Sequence, residues 1–239
     1  IGLIRWVYFV KILKKFKSFD GGDPKNNLHN TISHNMIVYD RFPIVDFRMK
    51  RMTNLLNSIG AIESLNNDSI FLIIGPRTES DILKIKGLFY TNNIFAIDLI
   101  SYSPWIKIQD MHELNFENNF FDCVICGWTI SYSNNPKLLI KNLIRITKNG
   151  GFIAFGVEHV TIDKLVHENH ITDDRQVNIS LELLNKRINS ISDFLDLFNS
   201  LETKFKVVFQ FGAESTKTNK GSFNQNVADN VMLVIQIIK

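Results

Sequence analysis

Residues 69–98 read SIFLIIGPRTESDILKIKGLFYTNNIFAID. Ser69–Ile74 is a short, continuously apolar run that stops at Gly75, and Asn93–Ile97 is a second one that stops at Asp98. Between them Asp81–Tyr90 has the spacing of a helix. A strand that faces water on one side alternates apolar and polar residues. A run without alternation is instead buried on both faces, as in a parallel sheet sandwiched between helices. The same grammar continues downstream, with an apolar strand at Phe121–Cys126, an amphipathic helix at Pro136–Thr147, a turn at Lys148–Gly151 and a fourth strand at Phe152–Val157. Ile191–Leu201 reads as a further helix, and Lys204–Phe211 and Val231–Ile238 as closing strands joined by a polar loop, 212–229. Residues 160–190 are polar and read as a helical or lid-like stretch, while Arg48–Ile62 reads as a helix that ends near Gly60. The expected fold is therefore α/β, with a mostly parallel sheet covered by helices on both faces.

Composition is consistent with that reading and narrows it. The chain has 239 residues, 45% of them hydrophobic, which excludes a disordered or fibrous protein. Its net charge of +3 is too small to argue for nucleic acid, but it is unevenly spread. Arg5, Lys11, Lys14, Lys15 and Lys17 lie in residues 1–19 with no acid, leaving 22 bases against 24 acids in the rest. The expected organisation is a basic helical arm and loop over 1–47, followed by an α/β domain over 48–239. The loop DGGDPKNNLHNTISHN at 20–35 separates the two.

The apolar start IGLIRWVYFV is interrupted by Arg5 and falls short of the ~20 residues that a bilayer span needs. It does not read as a signal peptide, because its bases follow the apolar run. Peripheral contact of residues 1–19 with anionic lipid is an open alternative. The bases are expected to wrap most of the helix without leaving a clean polar face, so packing on the domain or its neighbour is the preferred expectation. Cys123 and Cys126 form a C-x-x-C, yet they fall within a buried strand where residues three apart face opposite ways, and no second pair completes a metal site. They read as core cysteines in a reducing, cytoplasmic protein.

In open α/β sheets, ligands bind at the carboxyl ends of the strands. Attention therefore falls on Gly75–Asp81, Asp98–Tyr102, Asp110–His112, Gly127–Tyr132 and Glu158–His159. Gly75 ends one strand and Asp98 the next, 23 residues later; Asp110-Met-His-Glu-Leu follows, then Phe121-Asp122 and the strand CVIC, and Asn149-Gly-Gly151 precedes another strand. In this order, and over about residues 68–160, the chain resembles class I S-adenosylmethionine-dependent methyltransferases.

The resemblance implies a three-layer, doubly wound, mostly parallel seven-stranded sheet of Rossmann-like type with an antiparallel C-terminal strand. It also implies S-adenosylmethionine as cofactor, S-adenosylhomocysteine as product, and a binding set of Gly75, Arg77, Glu79, Asp98, Leu99, Asp110, Met111, Gly127 and Trp128. Asp98 would accept hydrogen bonds from the ribose diol and Asp110 from the adenine amine. The N–H of Met111 would donate to the ring, Gly75 would let the backbone approach, and Gly127 and Trp128 would flank the methionine end. The first loop departs from the family, carrying one glycine, a Pro76 without an N–H, and Arg77 and Glu79 where that family keeps space. Either Arg77 meets the ligand carboxylate, or Arg77 and Glu79 pair and fill the site, leaving a methyltransferase fold that serves as a binding or assembly module. The same loop lacks the G-x-G-x-x-G of a dinucleotide enzyme.

Each candidate also has an ordinary structural role: Asp98 and Asp110 as turn residues, Met111 as packing, Trp128 as cover for the sheet edge. His112, Tyr132, Glu158 and His159 are rim candidates for a base. No catalytic residue is assigned, and His167 and His170 are too few to hold a metal. Gly127-Trp-Thr-Ile in place of an Asn/Asp-Pro-Pro-Tyr disfavours nucleobase or glutamine amino groups as acceptors. A small-molecule or glycan-type acceptor is the working expectation, although no residue names the substrate. A homo-oligomer is compatible with the sequence.

Overall fold

Apolar residues that must be hidden on both sides of a strand require helices above and below it, and the computed structural model of the chain has this arrangement. It describes residues 2–15, 17–19, 50–76, 78–159, 188–212 and 230–239. The expected loop at 20–35, most of the stretch at 160–190 (with His167 and His170) and most of the loop at 212–229 lie outside those residues.

In chain order the strands are β1 (Lys17–Ser18), β2 (Phe71–Ile74), β3 (Ile94–Asp98), β4 (Ile100–Ser101), β5 (Lys107–Ile108), β6 (Phe121–Gly127), β7 (Thr147–Glu158), β8 (Lys204–Phe211) and β9 (Asn230–Ile238). The helices are α1 (Gly2–Trp6), continued by a π-helical segment Val7–Ile12, then α2 (Lys50–Gly60), α3 (Glu79–Phe89), α4 (Pro136–Ile146) and α5 (Ile191–Asn199). Seven strands form one sheet in the order β5-β3-β2-β6-β7-β9-β8. Neighbours are parallel from β5 to β7, and β9 runs antiparallel to both β7 and β8. The order reverses at β2, so the ends of β2, β3 and β6 flank the switch point where such sheets bind ligands.

The two faces of the sheet carry separate cores. Leu55, Leu56 and Ile59 of α2 and Ile82, Ile85 and Phe89 of α3 pack on Phe71, Ile73, Cys123 and Ile125. Leu139, Ile140, Leu143 and Ile146 of α4 and Phe194 and Phe198 of α5 pack on Leu72, Ile74, Val124, Cys126 and Phe155. Each fully buried Leu, Ile or Phe contributes roughly 1.5–3 kcal/mol by leaving water. Local chemistry starts the helices where these faces need them. Asn135 caps α4 by accepting from Leu138 N at 3.1 Å with Pro136 at its first turn, and Ser190 caps α5 by accepting from Asp193 N at 3.3 Å.

Three features depart from the pattern read in the sequence. β5 is only two residues long, with Lys107 exposed and Ile108 half-buried, so no apolar run announces it. The expected turn at Lys148–Gly151 is a bulge inside β7. Thr147 lies opposite Phe121 and Phe152 opposite Cys123, so Lys148–Gly151 stand against Asp122 alone. Gly150 supplies the positive φ of 77° that this bulge needs, and Lys148 Nζ binds Asp122 at 2.8 Å. Finally, the basic arm packs on the α/β body, as preferred above, but its bases are not distributed as read. β1 pairs with β4, Phe19 N donates to Leu99 O, and Trp6 is buried against Ile100 and Tyr102. Its bases do not wrap the helix, because Arg5 turns inward while Lys11, Lys14 and Lys15 are exposed toward the helix's carboxyl end.

Cys123 and Cys126 lie in opposite cores with no exposed surface. Burial pushes the Cys126 thiol up to about 12 and raises that of Cys123 as well. Neither thiol is expected to react with Ellman's reagent in the native protein at pH 8, and both should titrate in denaturant; prompt native reaction would contradict this packing.

Candidate functional site

The carboxyl ends of β2, β3, β5 and β6 bring together most of the residues singled out above. Asp98, the last residue of β3, is opposite Ile108 of β5, and Gln109 N donates to Asp98 O at 3.0 Å. That register sets Asp110 just beyond the end of β5, beside the end of β3. Asp98 is 8% exposed, and its Oδ1 accepts from Leu99 N at 2.7 Å and Ile100 N at 3.5 Å, which fixes the carboxylate rotamer.

Asp110 belongs to a side-chain relay. Its Oδ1 accepts from His112 N and from His112 Nδ1, both at 2.8 Å, and His112 Nε2 lies 2.7 Å from Ser133 Oγ. An ionised carboxylate only accepts, so Nδ1 carries a proton and donates. In the neutral ring Nε2 then accepts a hydrogen bond from the Ser133 hydroxyl, while Ser133 Oγ accepts from Asn135 N at 3.2 Å. The bond from His112 holds the Asp110 carboxyl below the ordinary carboxylate range, against the opposing effect of burial. Only Oδ1 is engaged by these bonds, so Oδ2 is left to accept from a ligand. Next to this residue, Gln109 Nε2 donates to Glu113 O at 2.7 Å, and its buried Oε1 has no donor among the described residues.

Gly75 has φ +68°, and a Cβ there would lie 2.3 Å from Thr129 Oγ1. Thr129 Oγ1 donates toward Ile74 O and Gly127 O, each at 3.0 Å, and so ties the end of β2 to that of β6. Gly127 leaves room for Met52 of α2, whose Cε would lie 2.7 Å from an added Cβ. Trp128 has a positive φ of 56°, donates its N–H to Gly156 O at 2.7 Å, and lays its ring on Gly156. Met111 is 9% exposed and belongs to the α4–α5 core. Arg77 lies outside the described residues.

Glu79 has a partner the sequence did not suggest. At the first turn of α3 it is fully buried, and its Oε2 and Oε1 take a bidentate ion pair from Arg5 Nε at 2.6 Å and Arg5 Nη2 at 3.0 Å. Ser103 Oγ donates to Oε1 at 2.5 Å, and Glu79 N donates to Tyr102 Oη at 3.3 Å. Arg5 is stacked on the Trp105 ring, 3.9 Å from its centroid. The Ser-Tyr-Ser-Pro-Trp stretch at 101–105 thus cradles Glu79, and the arm closes that cradle. No sequence spacing links residues 74 apart. The useful signal would have been an acid placed directly after a strand-end loop, which asks for a cation from somewhere.

Among the rim candidates, Tyr132 is about half exposed, whereas His159 is buried and its Nδ1 meets Asn189 O at 2.8 Å. A donated hydrogen bond to a carbonyl makes His159 a structural link to the start of α5. Among the described residues, no group of three or more His, Cys, Asp or Glu is arranged to hold a metal ion.

The strand order and the antiparallel β9 are those of the class I methyltransferase fold. The methyltransferase domain family matches residues 92–155, which run from just before β3 through most of β7 and include Asp98, Asp110, Gly127 and Trp128. No curated protein sequence matches the chain. Among solved structures, a candidate methyltransferase in complex with the Haloferax volcanii methyltransferase activator Trm112 superposes with a TM-score of 0.55 at 12% identity, covering 80% of this chain and 91% of its own. A candidate S-adenosylmethionine-dependent methyltransferase of Listeria monocytogenes gives 0.53 at 12% identity, covering 79% and 97%. At such identities the structural likeness concerns the fold.

Two outcomes test the site's construction. Arg5→Ala should cost about 3 kcal/mol in urea unfolding, because it leaves a buried carboxylate unpaired. Arg5→Ala/Glu79→Gln should then regain at least ~1 kcal/mol of that loss; a double variant no more stable than Arg5→Ala would deny the ion pair a role in stability. His112→Ala should move the Asp110 carboxyl up toward its ordinary value in a carbon-detected NMR titration. The sign follows from linkage: a carboxyl held low in the fold stabilises above its unfolded value and loses that effect as pH falls through the lowered one. An unchanged Asp110 titration would show that the relay does not hold it.

Proposed function

We propose that the chain is an S-adenosylmethionine-dependent methyltransferase acting on a small-molecule or glycan-type acceptor. The observation that carries this reading is the pair Asp98 and Asp110, two carboxylates at the ends of the adjacent strands β3 and β5. When bound, the cofactor supplies an electrophilic methyl group on a sulfonium. The work of this chain is then to bind and orient.

In this reading Asp98 accepts from the ribose hydroxyls. Asp110 Oδ2 accepts from the adenine amine while His112 holds Oδ1. The buried Gln109 Oε1, which lacks a donor among the described residues, favours a donor-bearing ligand edge at this end of the sheet. We assign to Met111 N a donor role toward the ring, and to Arg77 the amino-acid carboxylate. Leu99, Gly127 and Trp128 would bound the nucleoside and methionine ends, and Gly75 would bring backbone close to the ligand. Glu79 acts at one remove, holding the first turn of α3 through Arg5 and Ser103. This role also explains why bulk is tolerated in a loop where glycines are usual: the Glu79 side chain is drawn into the protein.

A second reading has its own observation in its favour. A Cβ on Gly75 would meet Thr129 at 2.3 Å, so the glycine is already required by protein packing without any ligand. A methyltransferase fold that serves as a binding or assembly module would look the same at that point.

Calorimetric titration with S-adenosylmethionine and S-adenosylhomocysteine separates the two. Micromolar binding, about −8 kcal/mol, is expected, and Asp98→Ala should weaken it by roughly 1.5–3 kcal/mol. Failure of the folded protein to bind at millimolar ligand would sink the enzyme reading in favour of the module.

A further inference from the structure

The helix formed by α1 and its π-helical continuation is apolar on two faces, and among the described residues the body packs on one of them. The inner face carries Arg5, Trp6, Phe9 and Val10. Arg5 is locked to Glu79, Trp6 is 4% exposed, and Phe9 and Val10 pack with it against Ile100 and Tyr102. These contacts set the rotation of the helix. The outer face is Leu3, Ile4, Val7, Tyr8 and Ile12, a stripe at the three- and four-residue spacing of one helix side. Ile4 is 73% and Ile12 65% exposed. Of the fifteen large apolar side chains exposed among the described residues, six lie between Leu3 and Leu13, so this is a concentrated patch.

Its charge selects the occupant. Lys11, Lys14, Lys15 and Lys17 are exposed where the stripe ends, and residues 1–19 contain no acid. A second copy docking through the same patch would offer these lysines no acid, since a two-fold interface joins a patch to itself and residues 1–19 contain none. An anionic bilayer instead offers hydrocarbon to the stripe and lipid phosphate to the lysines. No helix among the described residues is long and apolar enough to cross a membrane, so the contact would lie in the interface. The geometry points to the outer face of Leu3–Lys17 as a docking surface for anionic membranes, with Leu3, Ile4, Val7, Tyr8 and Ile12 entering the headgroup boundary and the lysines meeting lipid phosphates. This surface is independent of cofactor binding, although the helix that carries it also holds the first turn of α3.

Flotation of the full chain with vesicles tests this surface. Vesicles of phosphatidylcholine with 30% phosphatidylglycerol, at ~100 mM salt, should bind at least tenfold more protein than pure phosphatidylcholine. Ile4→Asp/Ile12→Asp, which leaves Arg5 and Trp6 in place, should lower binding at least tenfold, and Lys11→Gln/Lys14→Gln/Lys15→Gln should bring it to the neutral-vesicle level. Thermal unfolding by circular dichroism checks that both variants remain folded. Absence of binding to anionic vesicles, or equal binding by the wild type and either variant, overturns the proposal. So does a concentration-dependent dimer in sedimentation that Ile4→Asp/Ile12→Asp abolishes, which would assign the patch to a second copy.

Discussion

Burial of β2 and β6 on both faces is the constraint from which the rest of the structure follows. Leu72, Ile74, Val124 and Cys126 face one core, and Phe71, Ile73, Cys123 and Ile125 the other, so neither strand has a side left for polar chemistry. Helices must cover both faces, and crossovers through those helices make the neighbouring strands parallel. Polar side chains are displaced to the strand ends, and the carboxyl ends gather Asp98, Asp110, His112, Thr129 and Ser133. The location of the candidate site is thus a consequence of hydrophobic burial, before any ligand is considered.

Glycines at those ends serve the protein itself. Gly75 makes room for Thr129, Gly127 for Met52 and Gly156 for Trp128, each where an added Cβ would clash with a side chain. The result is a set of close contacts that ties β2, β6 and β7 together at the end where a cofactor is proposed to bind. Glu79 extends this logic. A fully buried carboxylate is stable only when its charge and lone pairs are met, and here Arg5 and Ser103 meet them. The first loop can therefore carry a long acidic residue while keeping that residue away from the strand ends.

The arm shows how one helix can serve two surfaces. Its inner face is fixed by an ion pair, an arginine stacked on an indole, and a buried Trp6. With the inner face so committed, the outer apolar stripe cannot be hidden by rotating the helix. The arm also contributes a strand to the small β1–β4 sheet, directly after the Asp98 turn. It is continuous in structure with the region that carries the two carboxylates.

How much of this was legible depended on the range of the interaction. Continuous apolar runs and helical spacing are local properties, and they were enough to specify the α/β class, the principal strands and helices, and the opposed burial of Cys123 and Cys126. The strand-end acids were legible because strand ends follow from strand limits. β5 was not, because a two-residue edge strand with an exposed lysine leaves no hydrophobic signal. The sequence by itself determined the layers, the mostly parallel sheet and the region where polar chemistry must gather, since these follow from which side chains leave water. Only the tertiary structure decided that Arg5 meets Glu79, that His112 joins Asp110 to Ser133, and which face of the arm is left uncovered. Those outcomes depend on distances between residues far apart in the chain and on the rotation of one helix, and periodicity carries information about neither.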